Sequence, residues 1–163
     1  MNVLLRETRD SDIELVLAWR NNSQVWERLY AQSRENRPLT WEEHYSWWNS
    51  RHNWQRWIIQ VNDNITTRDV GCINLSQLDS WCPQVGLFIG EVGLWGKGVG
   101  RESLLLALSW LRAKGYVKVW TTILKDNERS IRLFGSVGFR RVGEGRVGEW
   151  SYEKDLREVR DNE

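Results

Sequence analysis

Trp95-Gly96-Lys97-Gly98-Val99-Gly100-Arg101 is the stretch that decides the fold of this chain. Before it, Gln84 to Gly90 has the apolar and aromatic make-up of a strand. After it, Arg101 to Lys114 sets Leu104, Leu105, Leu108, Trp110 and Leu111 at helical spacing, and Gly115 supplies a stop. The turn therefore joins a strand to a helix. Glycines there let the backbone approach a ligand and aim successive N–H groups at one point. The helix start adds partial positive charge, and Lys97 and Arg101 bring cationic side chains. Such a turn suits a phosphate or pyrophosphate. It is not a P-loop, because no Gly-Lys-Ser/Thr closes a longer glycine frame. It is not the dinucleotide fingerprint either. The last glycine of that pattern falls on Arg101 when counted from Gly96 and on Ser103 when counted from Gly98.

The surrounding elements follow from periodicity. Val3 to Thr8 reads as an edge strand. Asp10-Ser11-Asp12 caps a helix carrying Ile13, Val16, Leu17 and Arg20, with Leu15 and Trp19 widening its apolar face. Val25 to Tyr30 begins a second short helix, and Ser33 to Leu39, with Pro38, is a loop. Thr40-Trp41-Glu42-Glu43 is a capping box that opens a helix through about Ser50. Trp54 to Val61, Asp69 to Leu78 and Gln84 to Gly90 are strands, with a turn at Asp63-Asn64. Val117 to Ile123 is a buried-type strand, Asn127 to Val137 a helix ended by Gly138, and Phe139 to Val142 and Glu149 to Leu156 the closing strands. This order predicts an α/β fold: one mixed sheet flanked by helices. A single domain is expected over residues 1–157, with a frayed tail at 158–163.

A second block gives the glycine turn its meaning. Asn127-Glu128-Arg129-Ser130-Ile131-Arg132-Leu133-Phe134-Gly135-Ser136-Val137-Gly138-Phe139 follows it in the chain. The pair resembles the two motifs of the GCN5-related N-acetyltransferase (GNAT) family, a pyrophosphate-binding turn and the helix beyond it. The Gln84–Gly90 strand before the turn is similar to the RimJ/RimL-like branch. The resemblance is close over roughly residues 69–145 and looser over the N-terminal third. It implies a mostly antiparallel sheet with a splayed central strand pair, Gln84–Gly90 against Val117–Ile123. It implies acetyl-CoA as cofactor. The pantetheine arm would lie in the splay against the backbone of Phe88, Ile89 and Gly90, with the pyrophosphate on Gly96, Lys97, Gly98, Val99, Gly100 and Arg101. Asn127 would reach the pantetheine, Ser130 would lie near the adenine end, and Phe134 would touch the cofactor arm or the core. Asn127 is also a good helix cap.

Acetyl transfer to an amine needs a proton removed from an ammonium, a donor for the tetrahedral oxyanion and an acid for the departing thiolate. Many members of the family carry a tyrosine where this chain has Phe134, and a glutamate where it has Gln84. The base is therefore sought among Glu91, His44 and Glu43, with water as an equal alternative, and the acid among Ser136 and Tyr152. Trp19, Arg20, Trp47 and Trp48 are candidates for the acceptor site, because their segments resemble acetyltransferases acting on nucleotide-linked amino sugars and on aminoglycosides. An acidic cleft would favour a polycationic aminoglycoside, and a basic one a nucleotide sugar.

Composition narrows the rest. The 163 residues carry a net charge of +1 and are 40% hydrophobic, which does not mark a polyanion binder. Twelve tryptophans, five of them at Trp41, Trp47, Trp48, Trp54 and Trp57, suit core packing or an aromatic substrate wall. They also suit a homodimer surface or stacking on single-stranded nucleic acid, but the charge argues against the latter. Cys72 and Cys82 are expected as reduced thiols. No metal pattern is present, with His44 and His52 eight residues apart. The N-terminus lacks a signal-peptide layout and no run is apolar enough to span a bilayer, so a cytoplasmic enzyme is expected. The leading expectation is an acetyl-CoA-dependent transferase acting on a small-molecule amine, with no nucleic acid or membrane partner. A CoA-binding module without turnover and a protein N-terminal acetyltransferase stay open beside it.

Overall fold

The strands are β1 (Asn2–Glu7), β2 (Gln55–Asn62), β3 (Thr67–Ser76), β4 (Gln84–Ile89), β5 (Lys118–Leu124), β6 (Arg140–Glu144) and β7 (Glu149–Asp155), with burial alternating residue by residue along β5. In the computed structural model they form one sheet in the order β1-β2-β3-β4-β5-β7-β6. All neighbours are antiparallel except β4 and β5, which run parallel. The α-helices that lie wholly within the described residues are α1 (Ile13–Arg20), α2 (Ser23–Trp26), α3 (Trp41–Asn49), α4 (Val99–Ala113) and α5 (Glu128–Ser136). The structure describes residues 1–29, 35–50 and 53–158.

The sheet buries both faces. On one, Val85 and Ile89 of β4 join Val119 and Ile123 of β5 under Leu104, Leu108 and Leu111 of α4. Each of those leucines is fully buried, a contribution of roughly 1.5–3 kcal/mol apiece. On the other face Val16 and Trp19 of α1 and Trp48 of α3 pack on Ile58 and Phe88. Arg6 ties β1 to the start of α1 and to β3, donating to Asp12 at 2.8 and 2.9 Å and to Asp69 at 2.6 and 3.2 Å.

Local chemistry places the elements much as expected, with boundary shifts. The Thr40–Glu43 capping box forms in both directions. Asp63 Oδ1 accepts from the Ile65 and Thr66 amides and closes the β2–β3 turn. The second helix is shorter than expected and starts earlier, at Ser23, because Asn22 caps it by accepting from the Gln24 amide. Tyr30, His52 and the first part of the Ser33–Leu39 loop lie outside the described residues, as do residues 159–163 of the expected tail. Glu158 is ion-paired with Arg140 at 3.5 Å. Helix α4 starts at Val99, two residues before the expected Arg101, because Gly98 takes a left-handed conformation (φ +85°) and turns the chain straight into it. Cys72 and Cys82 are free thiols, and burial pushes Cys72 up to about 12.

A bulge fixes the turn beyond β4. The register of β2 on β3 passes from Ile59–Gly71 to Gln60–Asp69, leaving Val70 as the extra residue. The Val70 carbonyl accepts from both the Gly90 amide, at 2.8 Å, and the Glu91 amide, at 3.1 Å. Gly90 is required there, since a Cβ on it would lie 2.2 Å from Trp19 Cγ.

Candidate active site

Strands β4 and β5 pair through Gln84 and Trp120 and then diverge. Two bonds pin the closed end: the Trp120 amide donates to the Pro83 carbonyl at 3.0 Å, and Thr121 Oγ1 donates to the Val85 carbonyl at 2.7 Å. Since the Val85 carbonyl faces β5, strand alternation aims the backbone of Leu87 and Ile89 into the gap as well. Phe88 and Gly90 turn theirs towards β3, where the Gly90 amide meets Val70. The Ile89 carbonyl already accepts from Trp95 Nε1 at 2.9 Å, which sets the indole beside the end of β4. Arg129 Cζ stacks 3.9 Å from the Trp95 ring.

The gap opens into a cleft of about 450 Å³. Gln84, Gly86 and Phe88 of β4 and Thr122 and Leu124 of β5 form its floor, with Asn127, Ser130 and Phe134 at one side. The opposite wall is Arg20, Arg28, Trp47 and Trp54, and the β6–β7 turn contributes Arg146 and Glu149. A smaller recess of about 110 Å³ continues from Phe88 and Ile89 past Trp95, Asn127 and Ser130.

The turn at Gly96 and Gly98 has φ of +76° and +85°, and a Cβ on either would meet nothing within 4 Å. Space above it is therefore open to a ligand. The first intrahelical bond of α4 runs from the Glu102 amide to the Gly98 carbonyl. The amides of Val99, Gly100 and Arg101 precede it and have no partner inside the helix. Val99 itself is buried in the core, so its backbone is what faces the turn. Lys97 is exposed, and Arg101 is paired with Glu102 at 3.7 Å. Asn127 accepts from the Ser130 amide at 3.3 Å and donates to Ser130 Oγ at 3.1 Å, so it caps α5 while lining the cleft. Phe134 packs edge-on against Phe139, 5.0 Å between centroids, with its ring also at the cleft.

The four acceptor-site candidates separate. Arg20 and Trp47 line the cleft, whereas Trp19 and Trp48 are core residues at 6% and 1% exposure. Two guanidiniums stack on Trp47: Arg20 Cζ lies 4.2 Å from its centroid and Arg56 Cζ 3.9 Å. Arg56 was not expected from the sequence. It is 4% exposed, donates through Nε to Asn74 at 3.0 Å and also faces Trp54. Burial holds Arg20 down to about 10, with Cys72 pulling it up and Arg56 pushing it down, so it stays cationic at neutral pH.

The expected bases lie elsewhere. His44 is fully buried, with Nε2 2.8 Å from the Ile13 carbonyl and Nδ1 3.3 Å from Arg20 Nη1. Burial lowers it to about 4, so the ring is neutral, and both nitrogens are engaged. Its place is behind Arg20 and Trp47, away from the cleft. Glu91 is exposed and does not line the cleft. Glu43 is spent on its helix cap and on Arg37, whose hydrogen bond holds it down to about 2. Tyr152 is in the core, and Ser136 donates to the Leu133 carbonyl at 2.7 Å on the exposed side of α5. Among the described residues no cluster of metal ligands forms, and no helix is long and apolar enough to cross a membrane.

The sequence profile of the acetyltransferase (GNAT) domain matches residues 2–140. This chain belongs to the GNAT acetyltransferase family. An uncharacterized protein of Methanocaldococcus jannaschii is 47% identical over 154 residues, which is 94% of this chain and 31% of that protein. An N-acetyltransferase 9-like protein of Nematostella vectensis is 32% identical over 97 residues, 57% of this chain and 48% of that one. The chain thus spans less than half the length of the curated relatives it matches. The crystal structure of a domain from Methanocaldococcus jannaschii superposes with a TM-score of 0.90 at 47% identity, covering 94% of this chain and 98% of that one. An aminoglycoside acetyltransferase in complex with coenzyme A gives 0.79 at 16% identity, with 96% of each chain covered. A spermidine N-acetyltransferase of Vibrio cholerae, in complex with CoA and spermine, gives 0.76 at 15%, with 95% of this chain and 96% of that one covered. The last two show that the GNAT fold is shared.

Proposed function

We propose that the chain is an acetyl-CoA-dependent N-acetyltransferase whose acceptor is a small-molecule amine bearing a negatively charged group, as in an amino sugar joined to a nucleotide. One observation carries the choice of acceptor. Of the charged residues lining the cleft among the described residues, Arg20, Arg28 and Arg146 are cationic and Glu149 alone is anionic. Arg56 adds a further buried charge behind Trp47 and Trp54. A polycation such as an aminoglycoside or a polyamine would be repelled by that wall, whereas a phosphate or carboxylate would be held by it. The Trp47 and Trp54 faces suit a flat or ring-shaped part of the same molecule.

The donor half fits the gap. Leu87 and Ile89 offer backbone groups to an extended amide-bearing arm, in the manner of an added strand. The open turn at Gly96–Gly98 and the α4 N-terminus offer amides to a pyrophosphate. The bound thioester would supply an activated acetyl carbon. Neither a tyrosine at position 134 nor a glutamate at 84 is available, so the proton chemistry falls to other groups.

The test is a thiol-release assay with acetyl-CoA over four acceptor classes: nucleotide-linked amino sugars, aminoglycosides, polyamines and peptides. Sustained release with the first class alone is expected. Preference for a polycation would overturn the acceptor assignment. Absence of release, with acetyl-CoA binding intact, would leave a binding module instead.

A further inference from the structure

We propose that Glu149 is the group on which the acceptor's ammonium docks and to which it yields its proton; this rests on the transferase reading above. Acetyl transfer needs a base at the cleft, and every base expected from the sequence is placed elsewhere or consumed. Glu149 is the one carboxylate lining the cleft among the described residues. It opens β7, directly across from Leu124 at the end of β5 where the splay is wide. Its exposure is 2%, yet it lines the cleft.

Its surroundings hold it still without using it up. Arg146 Nε donates to Oε1 at 2.7 Å, while Oε2 has only the long 3.5 Å approach of Arg146 Nη2. An ionised carboxylate has about four lone-pair sites, so capacity remains for an ammonium. The turn is fixed by two backbone bonds, from the Glu149 amide to the Arg146 carbonyl at 2.8 Å and from the Gly145 amide to the Glu149 carbonyl at 3.0 Å. The nearby charged groups are Arg146 in the same turn, the Lys125–Glu144 pair at 2.7 Å at its edge, and Arg20 and Arg28 on the far wall. Thr122 and Leu124, its neighbours on β5, are uncharged.

The cleft is thus dipolar. The anionic end of the acceptor is drawn to Arg20 and Arg28, and the cationic end to Glu149, which orients the amine towards the gap. In the step, one N–H bond of the ammonium breaks and its proton passes to a Glu149 oxygen. The freed nitrogen lone pair forms the N–C bond to the acetyl carbon, and the C–S bond breaks with its electrons on sulfur. The nitrogen's surplus proton goes to the thiolate, and Glu149 returns its own to solvent.

The test is Glu149→Gln, which preserves shape and removes the charge. With a nucleotide-linked amino sugar as acceptor, kcat/KM at pH 7 should fall about 100-fold, a common weight for a positioned base. The deficit should shrink as pH rises towards the acceptor's own amine pKa, because free amine no longer needs the carboxylate. Acetyl-CoA affinity by calorimetry should stay within twofold. A pH-independent deficit would make Glu149 a structural clasp for its turn, and wild-type kcat/KM would dismiss it altogether. Should that variant not fold, Glu149→Asp decides: a carboxylate set back by one methylene should cost at least tenfold in kcat/KM, and an unchanged value would overturn the proposal. Failure of the wild type with every amine would instead overturn the transferase reading, so the two failures are distinguishable.

Discussion

The guanidinium of Arg20 donates through Nη1 to Nδ1 of His44 across 3.3 Å. The opposite ring nitrogen, Nε2, is 2.8 Å from the Ile13 carbonyl, which can only accept. Nε2 therefore carries the hydrogen and Nδ1 the lone pair that receives Arg20. The same ring stacks on Trp47, with 5.6 Å between centroids. His44 is a positioning residue: it sets a cleft arginine and a cleft tryptophan without reaching the cleft.

That arrangement makes stability depend on pH in a defined window. Burial is the largest influence on His44 and lowers it. The Ile13 carbonyl pulls it back up, and Arg20 and Arg56 push it further down, to about 4 from an unfolded value of 6.5. The unfolded chain thus binds the proton more readily than the folded one. The contribution is complete above pH 6.5 and is lost progressively as pH falls from 6.5 to 4, by on the order of 3 kcal/mol. Urea midpoints at pH 7.5 and pH 5 should differ in the wild type, and by much less in His44→Gln. An equal pH response in the variant would rule His44 out as its source.

A second prediction concerns Gly90. An added Cβ would stand 2.2 Å from Trp19 Cγ, inside a core that also holds Val16, Trp48 and Phe88. The indole is buried, and the turn is held by two hydrogen bonds to the Val70 carbonyl. Gly90→Ala should destabilise by about 3 kcal/mol, at the upper end for overpacking. The readout is a shift of the denaturation midpoint with a change in tryptophan emission. An unshifted midpoint would mean that Trp19 does not pack on this turn.

These positions show what was legible in the sequence. The leucine period of α4, the Thr40–Glu43 box and the glycine turn are local signals, and each forms where its residues dictate. The splay of β4 from β5 came through family resemblance, since no local pattern encodes it. The acceptor wall was half legible. Arg20 and Trp47 reach it, but Trp19 and Trp48 are core, because a tryptophan on a helix reads alike whether it packs inward or lines a cleft. Arg56 carried one faint signal, a lone charge in the otherwise uncharged, mostly apolar run Trp54-Gln55-Arg56-Trp57-Ile58-Ile59. Glu149 carried none. It meets the cleft only because β7 inserts between β5 and β6, a juxtaposition of the tertiary fold.

The cationic wall predicts a separable acceptor defect. Arg20→Met keeps an unbranched apolar stem against Trp47 and removes the charge. It should raise KM for a nucleotide-linked amino sugar by roughly 10- to 100-fold, the loss of one charge-assisted contact. The acetyl-CoA dissociation constant should stay within twofold. Activity towards an uncharged amino sugar should change much less, because that acceptor offers the arginine no partner. Equal losses on both acceptors would show that Arg20 shapes the cleft and does not read charge.

The glycine turn can be tested for conformation and for ligand contact at once. Gly98 has φ of +85°, and a Cβ there would meet nothing within 4 Å. The first side-chain atom of Gly98→Val therefore enters open space. The substitution costs the strain of a β-branched residue held in the left-handed region, about 1–3 kcal/mol, and it fills the open space above the turn. Gly115 is a matched control: its φ is +89°, its surroundings are equally open, and it lies just past the far end of α4. Both variants should lose comparable stability in urea titrations. Only Gly98→Val should lose acetyl-CoA affinity by calorimetry, by at least tenfold, or about 1.4 kcal/mol. Parallel affinity losses would assign the effect to general destabilisation of α4. Undiminished binding in Gly98→Val would remove the turn from the cofactor site.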